Sequence, residues 1–178
     1  FAVTSSQKCL MSSAGMSLAV VGERAWESAE RGGMPRAYLD FAAIRKTLNW
    51  PRAETPGTTP VMLTLQILEA VRMIHEEGLE TVFDRYRAMS DRVRKGAAEL
   101  GYGLQGPGII ERSPTLTALV VPAGVEPESV RARVRAAGIQ IAAGLGAHKP
   151  TGVRIGHMGD IRLPDVERTM DALSGGGV

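Results

Sequence analysis

Thr115-Leu116-Thr117-Ala118-Leu119-Val120-Val121 is a β-branched, apolar run with the length and composition of a strand. Downstream of it, Pro127 to Ala137 reads as a helix, with proline in its first turn and Gly138 just past its end. Ile139 to Ala142 and Gly152 to Gly156 read as further strands, and Pro164 to Leu173 as a second proline-started helix with Val166, Met170 and Leu173 inward. Upstream, Glu80 to Leu100 carries a helical stripe of Val82, Tyr86, Met89, Val93, Ala97 and Leu100. Arg85, Arg87, Arg92 and Arg94 are expected to face water, and Gly101 and Gly103 to stop the helix. Strands interleaved with helices after one long helix specify a small α/β domain from about Leu79 onward.

The first part of the chain is organised differently. Leu18 to Val21 reads as a buried strand leading into a helix from Glu23 to Arg31, which Gly32-Gly33-Met34-Pro35 breaks. Tyr38 to Leu48 forms a short helix ended before Pro51, and Arg52 to Pro60, rich in Thr, Pro and Gly, is an irregular loop. Val61 to Glu77 is helical, with Leu63, Ile67, Ala70 and Ile74 on one face. Met62, Leu65 and Leu68 widen that face, so the helix is expected to be buried on most sides before Gly78 ends it. Apart from the Gly175-Gly176-Gly177 tail there is no low-complexity segment, and no internal repeat.

Composition narrows the function classes. An apolar fraction of 44% with 22% charged residues is that of a globular chain, and only 4% aromatics leaves Leu, Val, Ile, Met and Ala to build the core. A net charge of +2, with both signs interspersed, makes no nucleic-acid surface. No apolar run approaches the roughly 20 residues of a membrane span. The single cysteine, Cys9, gives no disulfide framework or cysteine-based metal site and fits a reducing cytoplasm. His148 and His157 stand nine residues apart with no carboxylate or thiolate at a ligand spacing, so no metal site is expected.

Two places carry chemistry. Phe1-Ala2-Val3-Thr4-Ser5-Ser6-Gln7-Lys8 is a short strand that breaks into small polar residues and then presents one amine. A lysine held at a strand end suits Schiff-base chemistry with an aldehyde cofactor. Arg154 lies on an apolar strand between Gly152 and Gly156, glycines that let a ligand approach; its guanidinium fork matches a carboxylate. Between them lie Glu54-Thr55-Pro56-Gly57-Thr58-Thr59-Pro60 and Ala143-Gly144-Leu145-Gly146, and Arg154 itself belongs to Gly152-Val153-Arg154-Ile155-Gly156-His157-Met158-Gly159.

The order and spacing of these four segments resemble the C-terminal half of class V, fold-type I, pyridoxal-phosphate aminotransferases, in the alanine–glyoxylate and serine–glyoxylate (serine–pyruvate) group. The resemblance implies an α/β fold: residues 1–78 as the C-terminal part of the cofactor-binding large domain, residues 79–178 as a small C-terminal α/β domain. It implies pyridoxal 5′-phosphate as cofactor, with Lys8 as the amine that binds it and the base that moves the substrate proton. Gln7 would lie near the cofactor phosphate. Thr58 would reach the phosphate of a second subunit across a homodimer interface, and Thr55, standing where relatives often carry tyrosine, would be a further cofactor-binding residue. Arg154 would bind the substrate carboxylate. The implied substrates are a small amino acid, Ala or Ser, and a 2-oxo acid such as glyoxylate or pyruvate.

The resemblance has local departures. Ser12-Ser13-Ala14-Gly15 replaces a proline pair common after the lysine segment. Cys9 sits beside the lysine, whereas desulfurases of the same class place their reactive cysteine far from it, on a mobile loop. The acidic partner of the pyridine nitrogen, the ring-stacking residue and the phosphate turn would all precede Phe1. The chain is therefore expected to be a partial product, inactive alone; the alternative is a non-catalytic fragment serving dimerisation or interaction only. If the transaminase implication holds, Lys8 Nζ and the Arg154 guanidinium should open onto one cleft, roughly 10 Å apart, with Thr58 pointing outward.

Overall fold

Cross-strand register explains which face of the second half is core. The computed structural model describes residues 1–33, 35–49, 51–52, 54–55, 57–106 and 112–175. Met34 of the expected break, Pro56 of the Thr/Pro/Gly-rich loop, and Gly176 and Gly177 of the tail lie outside the described residues. The chain divides into two units, Phe1–Met73 and Ile74–Val178, and the division falls inside a helix, α3 (Val61–Glu77).

In the second unit, β4 (Leu116–Val120) pairs antiparallel with β6 (Gly152–Gly156), Thr117 opposite Ile155 and Leu119 opposite Val153. These four side chains are buried. Alternation therefore sends Ala118 and Arg154 to the other face. β3 (Gly103–Leu104) and β5 (Ala142–Ala143) complete an antiparallel sheet of order β3-β4-β6-β5 among the described residues. Helices α4 (Leu79–Glu99), α5 (Pro127–Ala136) and α6 (Leu163–Ser174) cover the apolar face. Met89, Val93 and Ala97 of α4, Val130 and Val134 of α5, and Val166, Met170 and Leu173 of α6 are all buried. Each fully buried Leu, Val or Met contributes on the order of 1.5–3 kcal/mol to folding. Gly96 lets α6 come close: a Cβ there would stand 3.2 Å from Met170 Sδ. Gly78, at φ 88°, lets α3 stop and α4 begin in a single residue.

Several expectations for this unit change. Arg85, Arg92 and Arg94 do not simply face water. Arg85 is half-buried and bonds both oxygens of Glu77, at 2.6 and 3.0 Å, and the carbonyls of Gly159 and Ile161, at 3.0 and 2.7 Å. Arg92 pairs bidentately with Glu167 across α4 and α6, and Arg94 donates to the Ser113 carbonyl at 2.9 Å. Long side chains at the rim of a helix face lay their stems on the core and use their heads to tie down loops. The strand expected over Ile139–Ala142 is reduced to Ala142–Ala143, because Gly138, at φ 77°, turns the chain and Ile141 points into the core.

The first unit is thinner. β1 (Ala2–Ser5) and β2 (Ser17–Val20) form an antiparallel ribbon, Ala2 opposite Val20 and Ser5 opposite Ser17. Leu18 and Val20 are exposed, so the expectation of a buried strand here is not met. α1 (Glu23–Arg31) packs on α2 (Phe41–Leu48). Trp26 meets Phe41 edge-on, Arg45 lies 4.9 Å over the Trp26 ring, and Asp40 caps α2 through the amides of Ala42 and Ala43. α3 forms as its pattern requires, yet only Ile67 and Ala70 on it are buried. Met62, Leu65 and Leu68 are 70%, 53% and 64% exposed, so the helix is not buried on most sides. Met11 and Ser13 border the edge of that face near Met62 and Leu65 without covering it.

Candidate active site

Lys8 stands in a turn that follows β1, and the turn is built by a buried serine. Ser6 is fully buried. Its hydroxyl donates to the Ser13 carbonyl at 2.7 Å and accepts from the Met16 amide at 3.3 Å. Its amide donates to the Met16 carbonyl and its carbonyl accepts from the Ser12 amide, both at 3.0 Å. The Lys8 carbonyl accepts from the Met11 amide at 3.0 Å, and Met11 adopts φ 54°. Gln66 of α3 closes the arrangement, its Oε1 accepting from Ser12 Oγ at 3.2 Å and Ser13 N at 3.1 Å. The loop is thus fixed at both ends while the Lys8 side chain stays exposed. Ser6 and Gln66 were not singled out as supports by sequence reasoning. Gln66 did leave a signal, a lone amide between the apolar Leu65 and Ile67.

Gln7 is exposed, and its amide makes no hydrogen bond among the described residues. Thr58 is likewise exposed with a free hydroxyl among the described residues, while Thr55 Oγ1 donates to the Gly57 carbonyl at 2.8 Å, a local turn contact. No hydrogen bond joins Thr55 or Thr58 to Lys8 among the described residues. All four belong to the first unit; Arg154 belongs to the second.

Arg154 rises from the open face of the sheet, in register with Ala142 on one side and Ala118 on the other. Small neighbours leave room above the guanidinium. Its Nε donates to the Ala143 carbonyl at 2.8 Å, and no carboxylate pairs with it among the described residues. One donor thus holds the guanidinium to the strand edge, and neither terminal nitrogen has a hydrogen-bond partner among the described residues. Gly152 does not serve ligand approach as expected. A Cβ there would stand 2.8 Å from the Leu119 carbonyl oxygen, so this glycine admits neighbouring backbone; Gly144 does the same against the His148 carbonyl. Gly156 is the open one, with only Met158 Cε near, at 3.7 Å.

His157 is fully buried, its Nε2 2.9 Å from Thr117 Oγ1, and its Nδ1 has no partner among the described residues. Burial pushes the imidazole below its ordinary pKa, and the charge of Arg94 acts in the same sense. It is a core residue of β6's end. His148 is exposed in a 3-10 turn, Gly146–His148. Among the described residues no group of three His, Cys, Asp or Glu could hold a metal ion. No described helix is long and apolar enough to cross a membrane.

The family model for aminotransferase class-V matches residues 1–164. The chain is 32% identical over 169 residues to the small subunit of a soluble hydrogenase of Synechococcus, covering 94% of this chain and 43% of that one. It is 31% identical over 169 residues to the serine–glyoxylate aminotransferase of Methylorubrum extorquens, covering 90% of this chain and 41% of that enzyme. Among solved structures, an alanine–glyoxylate aminotransferase from Nostoc superposes with a TM-score of 0.84 at 29% identity, covering 97% of this chain and 46% of that one. The chain spans less than half the length of the curated relatives it matches.

Proposed function

On the premise that this chain belongs to the aminotransferase class-V family, we propose that the whole protein is a pyridoxal-phosphate-dependent aminotransferase. It transfers the amino group of a small amino acid, Ala or Ser, to a 2-oxo acid such as glyoxylate or pyruvate, and works as a cytoplasmic homodimer. The observation that carries this reading is the Lys8 turn: an exposed amine on a loop locked by buried Ser6 and by Gln66. A covalent attachment point needs such an amine, accessible yet fixed in direction.

The residues present fit the cofactor. Lys8 would hold it; Gln7 and Thr58 offer an unspent amide and hydroxyl for its phosphate, Thr58 toward a second subunit; Thr55, turned to Gly57, has less to offer. Pyridoxal phosphate, when bound, supplies the electron sink that lets an amino acid release its α-proton. Once the substrate amine has displaced it from the cofactor, Lys8 Nζ would take that proton from the α-carbon and deliver it to the cofactor's C4′, as a positioned general base does. Arg154 grips the substrate carboxylate end-on through both terminal nitrogens, since its Nε is held by Ala143. That grip fixes which bond at the α-carbon faces the base. Lys8 would thus act at the α-carbon and Arg154 at the carboxylate of the same substrate.

Lys8→Ala in the intact protein tests this directly. The intact protein with added pyridoxal phosphate should show a visible absorption band and turn over Ala or Ser with glyoxylate or pyruvate. Lys8→Ala should abolish the band and lower turnover by about 10⁴-fold. A parent that stays colourless and inactive with these pairs, and with aminoethylphosphonate, would sink the assignment. A second reading, a non-catalytic interaction module, is favoured by the exposed apolar face of α3. Turnover separates the two: a protein that associates in sedimentation yet neither takes up pyridoxal phosphate nor turns over these pairs is such a module.

A further inference from the structure

The shortening of β5 leaves an opening in the second unit. Ala142 pairs with Arg154, so continuing the register would set Gln140 opposite Gly156. No hydrogen bond joins those two among the described residues, because the chain after Gly138 leaves the sheet. Between this segment, the end of β6 and α6 lies a cleft of about 300 Å³. Its floor is branched and apolar: Ile139, Ile141, Ile155 and Ile161. Its wall on α6 carries Asp165 and Arg168, three residues apart and so on one helix face.

The two charges are not used on each other. No ion pair joins Asp165 to Arg168 among the described residues. Asp165 accepts from the Arg162 amide through Oδ2 at 3.0 Å, which leaves Oδ1 unbonded. Arg168 is exposed and makes no hydrogen bond or ion pair among the described residues. Adjacent, unpaired opposite charges beside an apolar floor are the complement of a zwitterion with an aliphatic side chain. We propose that this cleft binds an α-amino acid with a branched aliphatic side chain, its carboxylate on Arg168, its ammonium on Asp165 and its side chain on the isoleucines. Arg154 does not line the cleft; its side chain leaves the sheet by the face opposite to Ile155. The inference therefore does not depend on the proposed activity.

Equilibrium dialysis of radiolabelled L-leucine against the intact protein tests it. The protein should carry Lys8→Ala and Arg154→Ala, so that binding at the proposed catalytic groups is removed. This variant should retain about one equivalent of leucine, competed neither by isocaproate, which lacks the ammonium, nor by isoamylamine, which lacks the carboxylate. Adding Arg168→Ala should weaken leucine binding at least about tenfold. Gln140→Trp, an exposed position at the mouth, should block it. No leucine bound by the double variant, equal binding after Arg168→Ala, or full competition by isocaproate would each overturn the proposal. The catalytic reading stands or falls separately, on the absorption band and turnover of the protein without these changes.

Discussion

In Ile74–Val178 the apolar stripe of α4 is covered: Val82, Tyr86, Met89, Val93 and Ala97 are all buried against β4, α6 and their neighbours. In Phe1–Met73 the stripe of α3 is buried only at Ile67 and Ala70, and the residues that widen it, Met62, Leu65 and Leu68, stay exposed. Both helices satisfy the same periodicity, so periodicity reports which face could be buried and not whether anything buries it. Apolar pattern is a property of one element; burial is a property of two. The second unit supplies its own covering layer, a sheet and two further helices. The first offers a two-stranded ribbon and two short helices, too little to close over α3.

The largest expected effect divides the units most sharply. Leu119→Ala, at a fully buried position of β4, should cost about 2–5 kcal/mol in urea denaturation. Leu68→Ala on the open face of α3 should change stability by no more than about 0.5 kcal/mol. A loss above roughly 1.5 kcal/mol at Leu68 would show that its face is covered in solution, and the contrast would fail.

Next comes the ion network at the start of α4. Glu77→Ala removes the countercharge of Arg85, whose side chain is only 14% exposed and which holds the carbonyls of Gly159 and Ile161. The cost should be about 1–2 kcal/mol, reduced by partial exposure to water. Hydrogen bonds from Arg85 first, then its charge and that of Arg162, hold the Glu77 carboxyl below its ordinary pKa of 4.5. A carboxylate with a depressed folded value stabilises fully above 4.5, and that contribution disappears as pH falls through the folded value. The wild-type advantage over Glu77→Ala should therefore shrink in acid.

His157 gives a pH dependence in a higher window, again confined to the second unit. Its folded pKa lies below the ordinary 6.5, because burial disfavours the imidazolium. Between the two values the unfolded chain binds more protons, so stability rises with pH there and falls as pH drops below 6.5. The denaturation midpoint should be lower at about pH 5.5 than at about pH 7.5, and His157→Gln should remove that difference. A midpoint unchanged between those conditions would show that the imidazole is not held neutral.

Much of this architecture was legible in residues. Glu23–Arg31, Val61–Glu77 and Gly152–Gly156 form over the ranges their patterns specify, since breakers such as Gly32 and Gly78 mark their ends. The strand at Ile139–Ala142 was misjudged because β-branched residues mark a buried extended segment whether or not it finds a partner strand; Ile141 is buried without being paired. The arginines of α4 were read as solvated because their acceptors, the carbonyls of Gly159, Ile161 and Ser113, are brought near only by the fold. The site was legible as chemistry at Lys8 and Arg154. Its supports were not, because Ala143 holds Arg154 through a backbone carbonyl that any residue could provide.

The smallest effect concerns the one place where the first unit is as tightly made as the second. Ser6→Ala deletes a hydroxyl that donates to the Ser13 carbonyl and accepts from the Met16 amide, both at a fully buried position. Hydrogen replaces hydroxyl, a small change in volume, so the loss is chiefly that of the two hydrogen bonds, about 1 kcal/mol. Global stability should barely register it, because the strain falls on a local loop that can open without unfolding the core. Amide hydrogen exchange should register it clearly: the Met16 amide, deprived of its Ser6 acceptor, should exchange faster, while amides of β4 and β6 keep their rates. If Lys8 is the cofactor-binding amine, the same substitution should lower turnover in the intact protein by more than its stability cost suggests, and Ser6→Thr should restore part of it. Unchanged exchange at Met16 would mean that the loop is held by Gln66 alone, and that Ser6 is merely packed.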